Sequence, residues 1–192
     1  MSTIVQSEGD DLGYVSLLAG PSYSRTTSGA VKLGRDENTH RAFAQFPFIG
    51  RLSDLPPDPI KAELEFTLAT KSGTPTADNH VIVGAVNLGE PGGVHDVTDE
   101  QIYASAAALV EQATIPMTVG TGPRRIDLGA LGLAYIAAAI DAEYDLPLGL
   151  MWHDEQSGVM WTLDRDAGVR LVVTYRTGVY VLAGRGLRGV GR

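Results

Sequence analysis

Two neighbouring stretches decide the fold: Arg41-Ala42-Phe43-Ala44-Gln45-Phe46-Pro47-Phe48 and Ile60-Lys61-Ala62-Glu63-Leu64-Glu65-Phe66-Thr67-Leu68. Side chains of an extended chain alternate between its two faces, so Ala42, Ala44, Phe46 and Phe48 fall on one side of the first stretch. In the second, Ile60, Ala62, Leu64, Phe66 and Leu68 alternate with Lys61, Glu63, Glu65 and Thr67. Apolar on one face and charged on the other, this is a strand half-buried in an antiparallel sheet. Between the two lies Leu52-Ser53-Asp54-Leu55-Pro56-Pro57-Asp58-Pro59, a loop, because proline lacks the N–H that a central strand must donate.

Shorter elements flank this pair. Leu12 to Leu18 and Val31 to Leu33 read as short strands with a Gly20-Pro21 turn between them. Downstream, His80 to Leu88 reads as a strand. A helix is expected to begin near Thr98, because Thr98 and Gln101 have the spacing of a capping box. Ile102, Ala106, Leu109, Val110 and Ala113 carry its helical spacing onward. Ile115 to Val119 and Arg125 to Leu128 read as strands around a Gly120-Thr121-Gly122-Pro123 turn. Leu131 to Glu143 is alanine-rich enough for a second helix. Three strands, Leu146 to Trp152, Val159 to Leu163 and Val169 to Tyr175, close the body. Many short strands with Gly/Pro turns predict a mainly all-β protein, an antiparallel jelly-roll β-sandwich with one or two short helices in its connections.

Composition supports that reading and removes several functions. The 192 residues are 44% hydrophobic and 20% charged, with 23 Gly and 10 Pro, a surplus of turn formers over the usual share. With no cysteine there is no disulfide, thiolate zinc site or thiol nucleophile. Ala104 to Val110 and Leu133 to Ile140 are too short to cross a bilayer, so no membrane insertion is expected. A net charge of −8 argues against nucleic-acid binding. The N-terminus shows neither a basic nor an apolar leader region, so a soluble protein made in a cytoplasm is expected.

The charge is unevenly placed. Residues 1–175 hold 11 Lys plus Arg against all 23 Asp plus Glu, a balance of −12, whereas residues 176–192 hold four arginines and no acid. Two regions are therefore expected: a sandwich over 1–175 and a basic, glycine-rich arm over 176–192. Arg176, Arg185, Arg188 and Arg192 supply the arm's charge, and Val179, Tyr180, Val181 and Leu182 form a strand-capable patch suited to joining a neighbour's sheet.

Catalytic motifs are missing. There is no G-x-S-x-G, H-E-x-x-H or Walker sequence, and Gly184-Arg185-Gly186-Leu187-Arg188-Gly189 stands too near the end of the chain to open a phosphate-facing helix. No catalytic residue and no cofactor are assigned. Asp164-Arg165-Asp166-Ala167-Gly168 has alternating oxygen ligands like the start of a calcium loop, but it lacks the distant bidentate Glu, which favours a turn. His40, His80, His95 and His153 each stand in or beside an expected loop, in surface or capping roles. Trp152 and Trp161, on adjacent expected strands, could form a platform for a sugar ring; each alternates with a methionine, Met151 and Met160, so one of each pair faces out.

The order of segments resembles the DNRLRE domains, jelly-roll modules related to carbohydrate-binding modules and met in phage structural proteins. The resemblance rests on Arg41 to Phe48, Leu55-Pro56 and Ala62-Glu63-Leu64-Glu65-Phe66. It continues through Arg125-Ile126-Asp127-Leu128, Leu148-Gly149-Leu150-Met151 and Arg170-Leu171-Val172-Val173-Thr174-Tyr175. It implies a display module, and the compartment reading then places that module in a bacteriophage virion as a non-enzymatic minor tail or capsid decoration protein. The expected partners are other virion proteins and further copies of the chain. The alternative is a carbohydrate-binding or adhesive module meeting a host surface glycan through Trp152 and Trp161.

Overall fold

The computed structural model describes residues 2–8, 10–20, 22–46, 59–74, 79–86, 97–107, 110–116, 120–142 and 145–176. In chain order the elements are β1 (Ser2–Glu8), β2 (Asp10–Leu17), β3 (Tyr23–Thr26), β4 (Val31–Arg35), β5 (Thr39–Phe46), β6 (Pro59–Ser72) and β7 (His80–Ala85). There follow α1 (Asp99–Ala107), β8 (Val110–Pro116), β9 (Gly122–Asp127), α2 (Gly129–Ala142), β10 (Leu146–Trp152), β11 (Val159–Leu163) and β12 (Arg170–Arg176).

Among the described residues every strand pairing is antiparallel. One run of neighbours is β3-β2-β5-β10-β7-β8, and the other is β4-β11-β6-β12-β1 with β9 also on β6. Among the described residues the two runs are stitched by the β4–β5 hairpin alone, where Gly34 faces His40 and Arg35 faces Thr39. Yet their inward side chains form one apolar cluster: Leu33, Leu64 and Leu171 from one run, Phe46, Val83 and Leu148 from the other. Two antiparallel layers over a shared core make the β-sandwich that the strand pattern predicts.

Alternation explains the two deciding strands. On β6, Ala62, Leu64, Phe66 and Leu68 are buried while Lys61 is exposed. On β5 both faces are covered, because Phe43 points away from the main core into a second cluster with Val15, Val97, Ile102 and Tyr103, the last two from α1. The capping box at α1 is formed: the Thr98 N–H donates to Gln101 Oε1 at 2.8 Å and the Gln101 N–H to Thr98 Oγ1 at 3.2 Å. Arg25 of β3 ties that helix end down, its backbone N–H and Nε both donating to the Asp99 carboxylate and Nη2 to the Val97 carbonyl.

Four boundaries differ from expectation. Helix α1 stops at Ala107, and Val110–Pro116 is strand β8, because pairing with β7 overrides the helical spacing that reached Ala113. Strand β6 runs on to Ser72 because its C-terminal half pairs with β11. Strands β1 and β3 were not anticipated; both are polar segments recruited by partners, β1 by β12 and β3 by β2. The expected proline loop lies outside the described residues except for Pro59, which opens β6. Gly34 has a structural requirement of its own: its φ is +121°, and a Cβ there would collide with the Val159 carbonyl oxygen and stand 2.9 Å from Met160 Cα.

Candidate functional site

The tryptophans correct the glycan-platform expectation. Trp152 and Trp161 are each 1% exposed and meet edge to face in the core, with ring centroids 5.8 Å apart. Alternation sends Met151 and Met160 to the outer side, half-buried. A buried indole has no face on which a pyranose can stack. Both indole Nε1 atoms and the Tyr175 hydroxyl are buried with no hydrogen-bond partner, and burial pushes the Tyr175 phenol up to about 12.

Asp164 and Asp166 form a turn. The Asp164 Oδ1 accepts the backbone N–H of Asp166 at 3.0 Å and of Ala167 at 3.3 Å, which shapes the connection from β11 to β12. Among the described residues no group of three or more His, Asp or Glu is placed to hold a metal ion. Arg176 is the last residue of β12, opposite Ser2 of β1, so the sandwich extends one residue into the expected arm. Val179, Tyr180, Val181, Leu182, Arg185, Arg188 and Arg192 lie outside the described residues.

His40 departs from its surface reading, whereas His153 is exposed as expected and His80 is half-buried at the start of β7. His40 is 4% exposed inside β5, where Nδ1 meets Ser16 Oγ at 2.8 Å and Nε2 meets Asp36 Oδ1 at 2.9 Å. Tyr14 packs edge-on against the imidazole. Burial holds the His40 imidazole below its ordinary value, outweighing the opposite pull of Asp36. Burial would raise Asp36, but the Asn38 N–H, His40 and Lys32 together hold its carboxyl well below the usual carboxylate range. The order Ser–His–Asp is that of a nucleophilic triad. Ser16, however, is only 5% exposed, and it meets the imidazole at Nδ1 within the interior. The network closes the β4–β5 hairpin. His80 and His153 stack at 4.7 Å, and His95 is outside the described residues. The sequence clue to the network was Asp36 four residues before His40; its serine comes from the neighbouring strand and leaves no local signal.

A second polar cluster faces outward. On the outer side of the β9-β6-β12 layer, Arg125, Glu65 and Arg170 stand in one cross-strand row. There a cleft of about 310 Å³ has Glu65 and Thr67 on its floor, Arg124 and Arg125 along one wall, and Arg170 with the Ala167-Gly168 turn along the other. Arg125 pairs with Glu63 at 2.7 Å and with Glu65 at 3.3 Å, while remaining half exposed. Burial would raise Glu63, but its bonds to Lys61 and Arg125 outweigh that and hold it below its ordinary value. Arg124 folds back on its own loop, donating to the carbonyls of Gly120, Thr121 and Pro123. Its Nε is buried with no hydrogen-bond partner. Arg125 is thus shared between two carboxylates, and the Arg124 guanidinium is taken up by its own loop.

The fold and these two clusters define an all-β sandwich with a closed polar network inside and an ion-paired cleft outside. No known family model matches the chain, and a search of curated proteins finds no match either.

Proposed function

We propose that the protein is a non-enzymatic structural module of a bacteriophage virion, a minor tail or capsid decoration protein, assembled through contacts that include its basic C-terminal segment. The observation that carries this reading is the division of charge, −12 over residues 1–175 against four arginines and no acid over 176–192. Opposite signs on two parts of one chain favour head-to-tail contact between copies, or docking on another acidic virion protein. The resemblance of the sandwich segments to DNRLRE-type display modules supports the setting. The burial of both tryptophans removes support from the platform-binding alternative. Strand β12 ends at Arg176, opposite Ser2 of β1, and β1 stands at one end of the strand order among the described residues, an edge of the kind that can take up a further strand.

The test compares the full chain with a version ending at Arg176, which keeps β12 whole. Light scattering should show a multimer for the full chain and a monomer for the truncation. Equal masses would remove the segment from assembly.

A further inference from the structure

We propose that Val179, Tyr180, Val181 and Leu182 dock on an apolar corner of their own chain, formed by Ile60 of β6 and the first turn of α2. This concerns how the C-terminal segment is anchored and does not depend on the assembly reading. Among the described residues two large apolar side chains are exposed, Ile60 at 40% and Leu131 at 56%. The topology brings both to one end of the sheet. Leu64 of β6 faces Leu171 of β12 on one edge and Ile126 of β9 on the other, so β12 and β9 flank β6. Strand β9 runs antiparallel to β6, and the Leu128 N–H donates to the Ala62 carbonyl just before the chain turns into α2. The first turn of α2 therefore starts toward the Ile60 end of β6. Ala130, Leu131 and Ala134 are exposed on it, and residues 129–134 carry no charge.

The chain leaves the sheet at the same end. Tyr175 of β12 faces Pro59, and Arg176 is the last residue of the strand. Neighbouring strands lie about 5 Å apart, so Ile60 is one strand and the start of α2 two strands, about 10 Å, from that exit. Three residues of extended chain reach about 10 Å, enough to bring Val179 over Ile60 and the next three residues toward Leu131. Val179 to Leu182 is the first apolar run after the exit, and covering the corner removes apolar surface of both from water. A short tether holds this run near its own corner at an effective concentration on the order of millimolar, which favours it over the same run of a neighbour. Arg185, Arg188 and Arg192 follow the anchor and are left for contacts with other subunits.

The chain contains no cysteine, so one introduced thiol is read alone. Full-length Ile60→Cys, Leu131→Cys and Ser157→Cys chains are labelled with a maleimide. Each is made with the natural run and with Val179→Ser, Tyr180→Ser, Val181→Ser and Leu182→Ser together. Ser157, exposed in the β10–β11 loop, is the reference. The thiols at 60 and 131 should react at least about fivefold more slowly with the natural run than with the serines, and the thiol at 157 equally in both. The slowing should be the same from about 2 to about 200 µM protein, as a tethered segment requires. Circular dichroism checks that each chain is folded. Equal rates at 60 and 131 with and without the apolar run overturn the proposal. Protection that grows with protein concentration overturns it in favour of a neighbour's segment. The serine chain keeps all four arginines, so salt-dependent assembly stands or falls separately from this result.

Discussion

The two faces of strand β6 do opposite things. Inward, Ala62, Leu64, Phe66 and Leu68 are at most 3% exposed and join the main core. Outward, Glu63 pairs with both Lys61 and Arg125, and Glu65 pairs with Arg125, in an ion-paired row beside the cleft. Burial energy scales with apolar area whatever the partner, so the inner face needs only apolar residues of the right size at alternate positions. The outer face depends on which charges the neighbouring strands bring alongside. Architecture is therefore carried by the inner face and chemistry by the outer one, with the His40 network as a polar exception within the interior.

The largest effect that tests this contrast is Trp161→Ala. Removing a fully buried indole from between the layers should cost about 3–5 kcal/mol in denaturant unfolding, while Met160→Ala, one residue away on the outer side, should cost far less. Equal losses at the two positions would break the distinction between the faces.

A smaller effect sharpens the interior exception. The His40 pKa in the folded protein lies below its ordinary 6.5, so the folded state binds fewer protons than the unfolded chain as the pH drops. The stability it contributes is present above pH 6.5 and is lost as pH falls from there through the lower folded-state value. Asp36, also lowered, keeps its contribution until the pH falls below the ordinary 3.8. Thermal melts between pH 7 and 5 should show a fall in stability that His40→Gln reduces. A wild-type curve that is flat there, or a variant that falls just as steeply, would contradict the buried neutral imidazole.

Much of the architecture was legible because it depends on local periodicity. The alternation over Ala62 to Leu68, the capping box of Thr98 with Gln101, and the three closing strands stand where the residues place them, while Ile60, expected on the inner face, is 40% exposed. What was not legible depends on neighbours distant in sequence. Strand β1 forms because β12, at the other end of the described chain, offers an edge. Strand β8 replaces the end of a helix because β7 lies beside it. The same limit applies to the sites. Alternation allowed either Trp or Met to face out, and only the second sheet, lying over the inner side, decides for the indoles. The cleft draws Arg124 and Arg125 from β9 and Arg170 from β12, with α2, β10 and β11 between them in the chain, and no local motif joins them.

The central claim is that opposite charge on the body and on residues 176–192 drives assembly, and ionic strength tests it most directly. Sedimentation of the full chain and of the version ending at Arg176 should be compared at about 0.05 M and about 0.5 M salt, a change that shortens the screening length roughly threefold. The account predicts a multimer of the full chain that dissociates at high salt, and a truncated chain that stays monomeric at both. A full chain that is monomeric at low salt, or a multimer indifferent to salt, would contradict it.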